Sequence, residues 1–214
     1  MELQRSILQN EGEDMNVKGD NNRSVRETRA KIQSVFLDLM KKKPYHKISI
    51  REIAEAANIN RSTFYLHYED IYDLLDKIED EINDELADAV RQIKREGYVQ
   101  GKHPQHTEVF RVLNKNADKA RILMSENGKN GFFNRTVETV KQTMLFGWRK
   151  ANGGVAPEKA DLYATYVAYA VVGVFRRNLN VEEPYTAEEL GHFAGEVTEW
   201  IDETFCRDRA TSGT

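Results

Sequence analysis

The sequence predicts an all-α protein in which an N-terminal three-helix helix-turn-helix domain precedes a larger helical domain. Three observations lead there. Apolar residues recur at helical spacing through the 214 residues, with no period-two runs and no internal repeat. Clusters of Gly, Asn and Pro, in EGYVQGKHPQ, ENGKNG, KANGGVAP and NLNVEEPY, break that spacing where loops are needed. Charge is uneven: residues 23–68 carry ten Lys and Arg against four acids, a net of +6, so the rest of a chain of net charge −4 carries −10.

Residues 1–22 hold two bases, five acids, several Asn and few apolar residues, the composition of a disordered tail, and Met15 offers an alternative start. Beyond it, Ile32, Val35, Phe36, Leu39 and Met40 fall on one face of a helix that stops before Pro44. Ser49 followed by Glu52 forms a capping box for a short second helix over about 50–57, with Ile50, Ile53, Ala54 and Ala57 as its buried stripe. Asn58 supplies the left-handed backbone of a tight turn, Ile59 plugs it, and Asn60 caps a third helix from Arg61. Asp70 caps a fourth, which Ile71, Leu74, Leu75, Ile78, Ile82 and Leu86 carry to about Arg95. The expected limits are a tail over 1–22, a helix-turn-helix domain over 23–69, a second helical domain over 70–206 and a C-terminal tail over 207–214.

Further helices are predicted near 107–116, 118–126, 132–150, 157–178 and 187–206. Pro157 suits a first helical turn, and Thr186 with Glu189 forms another capping box. The segment LYATYVAYAVVGVF is apolar nearly all round, so its own domain covers one face and a partner subunit another. With the stripe Leu190, Phe193, Ala194, Val197, Ile201 and Phe205 on the last helix, this predicts a homodimer joined through a four-helix bundle.

Other functions lack a site. No stretch approaches the roughly 20 apolar residues of a membrane span, and the start MELQRSILQN has neither a basic nor an apolar region of a signal peptide, so a cytoplasmic protein without membrane contact is expected. The single cysteine, Cys206, excludes an internal disulfide and a multi-thiolate metal site, and reads as a packing residue. His103 and His106 sit in a Pro-containing loop and read as solvated rather than as a metal pair. A Gly-rich phosphate loop, a Gly-x-Ser-x-Gly elbow and a His-Glu-x-x-His are all absent, so no catalytic residue, metal or cofactor is predicted.

Residues 58–68, NINRSTFYLHY, give the chemistry a place. Phe64 and Tyr68 are one turn apart and pack inward, which turns Arg61, Ser62 and Leu66 outward beside the polar edge of Tyr65. A helix N-terminus bearing Asn60, Arg61, Ser62 and Thr63 offers a guanidinium fork for guanine and small groups that permit close approach. Tyr65, His67 and, at the start of the second helix, Ser49 can reach phosphate oxygens. The +6 segment makes double-stranded DNA the expected partner.

The stretch from about Arg29 to Leu75, above all ISIREIAEAANINRSTFYLHYEDIYDLL, resembles the N-terminal domain of the TetR family of bacterial transcriptional regulators. That family's pattern is T-x-x-x-I-A-x-x-A-G-V-S, then small residues and T-[FL]-Y-x-[HY]-F. The resemblance implies that Arg51, Arg61, Ser62, Thr63, Tyr65 and Leu66 contact bases or nearby backbone, and that Ser49 and His67 contact phosphate. It further implies a dimer on a pseudo-palindromic operator and a repressor controlled by a small molecule, or else a co-activator acting through a protein partner. For the effector pocket it points to Phe110, Met124, Phe133, Met144, Trp148, Tyr166 and Tyr169. Two positions depart from the pattern: Asn58 replaces a turn Gly, and Glu69-Asp70 stand where a Lys often grips phosphate.

Overall fold

The computed structural model describes residues 23–96, 104–129, 131–151 and 157–211. The chain divides into two compact units, Met1–Leu75 and Asp76–Thr214. Helices are numbered α1 to α9 along the described residues, and all are α-helical apart from one 3-10 turn at Tyr45–Lys47.

In the first unit α1 covers residues 23–40, and the turn 41–43 runs into Pro44, which has no N–H to continue the helix. The 3-10 turn that follows was not visible in the apolar spacing. Next, α2 (Ile50–Ala56) starts on a complete capping box: the Glu52 N–H donates to Ser49 Oγ, and the Ser49 N–H donates to Glu52 Oε2 at 2.9 Å. Asn58 has φ 48°, the left-handed turn conformation expected of it, and the Ile59 N–H reaches back to the Ala54 carbonyl. Asn60 precedes α3 (Arg61–Tyr65) in extended backbone, but its side chain makes no capping bond. The helix is anchored instead by the Asn60 carbonyl, which accepts from the Thr63 and Phe64 N–H groups. Ile32, Phe36, Met40, Ile53 and Phe64 are fully buried, and Gln33 Nε2 donates to the buried Tyr68 hydroxyl at 3.4 Å. Each such apolar side chain contributes about 1.5–3 kcal/mol on burial.

The helix α4 (Ile71–Glu96) begins in the first unit and ends in the second. The second unit continues with α5 (Pro104–Lys115), α6 (Ala117–Leu123), α7 (Gly131–Ala151), α8 (Pro157–Asn178) and α9 (Ala187–Thr211). Here α5 packs on α9 and α7 on α8. Gly191 permits the first pairing, because a Cβ there would stand 2.5 Å from Thr107 Cα. His106 sits at the same contact. It is buried on α5 rather than solvated in a loop, since the helix begins at Pro104, before the expected start at 107. Its Nε2 lies 3.2 Å from Thr198 Oγ1, whose own proton goes to the Ala194 carbonyl, so the imidazole is the donor. Thr186 and Glu189 form the expected capping box, and α9 runs on to Thr211, past the expected end at 206.

Both long C-terminal helices show two apolar faces. On α8, Tyr163, Val167, Val171 and Phe175 are buried while Leu162, Tyr166 and Tyr169 are exposed. On α9 the single stripe expected from spacing is split: Leu190 and Ala194 are buried, whereas Phe193 and Val197 face outward. The tail over 1–22 with Met15, His103, and the side chains of Trp148, Ile201, Phe205 and Cys206 lie outside the described residues. No described helix is long and apolar enough to cross a membrane.

Candidate nucleic-acid interface

α3 and the turn over 66–68 that follows it commit one face to the core. Phe64 and Tyr68 are 0% and 1% exposed, so the remaining side chains must point away from them. Asn60, Arg61 and Ser62 are exposed at its N-terminal end, Thr63 and His67 are half-buried, and Tyr65 and Leu66 are 58% and 81% exposed. Leu66 gains nothing from water there, whereas a thymine methyl in a major groove would cover it. The nine residues expected at a DNA surface are all on or beside α2 and α3, and none is fully buried.

Charge on this unit is unequally available. Arg61 has no carboxylate partner among the described residues. Arg51 Nε lies 2.6 Å from Glu55 Oε1, with both side chains more than 60% exposed, and the Glu55 hydrogen bond raises the Arg51 pKa further. Lys41 pairs with Asp38 at 2.7 Å and Arg23 with Glu27 at 2.9 Å. Exposed pairs of this kind hold together by only about 0–1 kcal/mol, so a phosphate can displace the carboxylate. Lys43 is bound differently. Its Nζ lies 2.5 Å from Glu52, the capping residue, and Lys43 together with the Ser49 N–H and hydroxyl lowers the Glu52 pKa to about 2.

Two local details adjust the expected contacts. The Ser49 hydroxyl and N–H, expected to face phosphate, are both engaged with Glu52. Asp70 serves the next helix, its Oδ1 accepting from the Asp73 N–H at 2.8 Å, while Glu69 takes part only through its backbone N–H, which donates to Asp73 Oδ2 at 2.9 Å. A lysine in place of Asp70 would forgo that cap.

A buried aromatic face beneath an exposed Asn-Arg-Ser-Thr start, entered through a left-handed turn, is the second helix of a helix-turn-helix. The pattern described as bacterial regulatory proteins, tetR family, matches residues 36–78, and that of a transcriptional regulator C-terminal region matches residues 102–199. This chain belongs to the TetR family. Similar solved structures include a TetR transcriptional regulator from Streptococcus agalactiae 2603V, at 20% identity and TM-score 0.59 over 85% of this chain and 98% of that one. The dihydroxyacetone kinase operon activator DhaS is 20% identical at TM-score 0.54, over 80% of this chain and 93% of that one. NalD, the secondary repressor of the MexAB-OprM multidrug efflux pump in Pseudomonas aeruginosa, is 16% identical at TM-score 0.56, over 81% and 96%. No curated protein matches the sequence. As a TetR-family member the chain is a sequence-specific DNA-binding transcriptional regulator and not an enzyme, and the fold implies operator binding and dimerisation.

The residues expected to form an effector pocket in this TetR-family chain lie on or next to α5, α6, α7 and α8, with the side chain of Trp148 outside the described residues. Phe110 is fully buried on α5, while Met124, Phe133 and Met144 are partly buried on or next to α6 and α7. Tyr166 and Tyr169 are 63% and 50% exposed on the outer face of α8, with the Tyr169 ring 6.1 Å from that of Phe133. A cleft of about 610 Å³ lies elsewhere, lined by α4 and α7 residues among which none of the seven appears. Its lining residues are polar or charged in type apart from Ala87, and none is aromatic.

Proposed function

We propose that this TetR-family chain is a dimeric repressor that reads a pseudo-palindromic operator with α3 and releases it when a small molecule binds the second unit. The observation that carries the DNA reading is the exposure of Arg61, Ser62 and Tyr65 on α3 and of Leu66 at its C-cap, with Phe64 and Tyr68 buried on the opposite side. Arg61 is the fork to guanine; Ser62 and Thr63 allow the helix to approach closely; Tyr65 and His67 hold the backbone; Arg51 reaches DNA after giving up Glu55. The DNA-binding part spans 23–69 and the effector and dimer part 70–206. The outward residues Leu162, Tyr166 and Tyr169 of α8 with Phe193 and Val197 of α9 support a four-helix contact between subunits. Effector control would act through α4, one helix from Ile71 to Glu96. A ligand that binds better to the DNA-free state must weaken DNA binding by the same factor.

A second reading keeps the same DNA surface with opposite control, an activator working through a protein partner. It is favoured by the likeness to DhaS, which is named an operon activator, just as the likeness to NalD favours repression. Competition between a duplex from the chain's own upstream region and a scrambled duplex tests what both readings share. Selective binding is expected, and equal binding would refute it. Transcription from that region with and without the protein then decides the direction.

A further inference from the structure

Glu79 on α4 is a carboxyl group shut away from water: its side chain is 0% exposed, and neither oxygen has a hydrogen-bond partner. Its countercharge is Arg135 on α7. The Nη2 of that guanidinium lies 2.8 Å from Glu79 Oε2, close enough for charge attraction but outside hydrogen-bond geometry. Both Nη atoms donate elsewhere, Nη2 to Asp76 Oδ1 at 2.6 Å and Nη1 to Asp80 Oδ1 at 2.8 Å. Lys129, two residues ahead of α7, adds a bond to Asp76 Oδ1 at 3.3 Å. One turn along α4, the buried Asn83 gives its Nδ2 to the Glu79 carbonyl at 2.9 Å, and its Oδ1 has no donor. What this stretch of α4 lacks is donors, and a proton on Glu79 would be one.

Counting charges shows what that proton does. The charged groups that face Glu79 among the described residues are Asp76 and Asp80 from α4, Arg135 from α7 and Lys129 from the segment before it. Two cations balance two carboxylates, so the cluster is neutral while Glu79 is protonated and carries one unmatched negative charge once it is not. A buried carboxylate without donors is costly. The cost falls if water enters between α4 and α7, or if Arg135 is drawn off Asp76 and Asp80, and either event loosens the contact between the two helices.

We propose that Glu79 is a proton-operated latch, which as the neutral acid holds α4 against α7 and on ionisation releases that contact. Burial raises the Glu79 pKa to about 7 against the pull of Arg135, which places the change near neutral pH. The latch stands on the cluster itself. Its bearing on DNA binding rests on the proposed passage of effector control through α4.

Hydrogen exchange of the full-length protein, followed by mass spectrometry at pH 6 and pH 8, tests it, with peptides of α5 and α9 as the internal reference for the intrinsic rise in exchange rate. Relative to these, peptides covering residues 76–86 and 131–140 should exchange about tenfold faster at pH 8 than at pH 6, because opening gains a factor of about ten per pH unit up to the folded pKa and levels off above it. This comparison is made within the wild-type protein and needs no variant. In Glu79→Gln, which cannot ionise, the excess should vanish, whereas Asp84→Asn on the same helix should keep it. No excess in the wild type, an equal acceleration of all four helices, or an excess that survives in Glu79→Gln would overturn the latch. If the latch opens as expected but operator affinity varies with pH alike in wild type and Glu79→Gln, the latch stands and its control of DNA binding fails. If an effector controls operator affinity while α4 and α7 show no excess, effector control stands and the latch fails.

Discussion

Arg61 on α3 and Arg135 on α7 carry the same guanidinium in opposite circumstances. Arg61 stands exposed with no carboxylate partner among the described residues, while Arg135, 35% exposed at its side chain, is ringed by Asp76, Glu79 and Asp80. At Arg61 the positive charge is left available, so a polyanion meets it without first breaking an internal contact. At Arg135 the charge is consumed inside the protein. One chain thus uses the same group to face outward in one place and to tie two helices together in another, and local pairing separates the two uses more than net charge does.

The comparison is sharpened most by Arg61→Ala. Loss of a fork to guanine should remove about 1–3 kcal/mol of discrimination per half-site, so a two-fold dimer loses it twice. Competition between operator and scrambled duplexes should show affinity for the first falling toward that for the second. An equal loss on both would make Arg61 a phosphate contact and take base reading away from α3.

Next in size is the cost of the closed arginine's surroundings. Burial raises the Glu79 pKa to about 7 from the ordinary 4.5, with Arg135 opposing the shift. Between those values the folded chain holds a proton that the unfolded chain has released, so the stability tied to this group is complete below about 4.5 and is lost as pH rises through about 7. Glu79→Gln removes that loss and leaves Arg135 still paired with Asp76 and Asp80. Urea denaturation at pH 8 should show a gain of the order of 2 kcal/mol, and at pH 4 almost none. A variant less stable at pH 8 would mean that the ionised Glu79–Arg135 pair supports the fold.

Asn58→Ala isolates the turn that aims α3. At φ 48° alanine meets a left-handed penalty of roughly 1–2 kcal/mol, whereas Asn58→Gly meets none. Thermal melts should rank Gly at or above Asn and both above Ala. The smallest effect belongs to Lys42, exposed in the turn after α1. If it touches phosphate, Lys42→Gln should weaken all duplexes alike and lower the magnitude of the salt slope by about one per subunit. A change confined to the operator would assign it a base contact instead.

How much could be read in advance follows from the distance over which each feature is encoded. The Ser49–Glu52 capping box, the Asn58 turn, the Asp70 cap and the inward face of Phe64 and Tyr68 all lie within a few residues of their partners, and all were legible. The Tyr45–Lys47 turn was not, because it lacks apolar periodicity. His106 was misplaced because its burial depends on Thr198, 92 residues away. The seven residues expected at an effector pocket are aromatic and methionine side chains within helical segments. That signal marks a face of a helix but does not say which neighbour, if any, covers it.

The sequence by itself therefore determined the all-α class, the order of the helices, the helix-turn-helix and the outward polar start of α3, since hydrogen bonds closing within one turn and apolar period are local properties. Tertiary structure alone decided that Leu190 turns inward while Phe193 turns outward, that Gly191 lets α5 approach α9, and that Asp80 and Arg135, 55 positions apart, meet at a cleft. Those outcomes depend on which helix faces are brought together, and a periodic pattern on one helix is equally compatible with several neighbours until packing selects one.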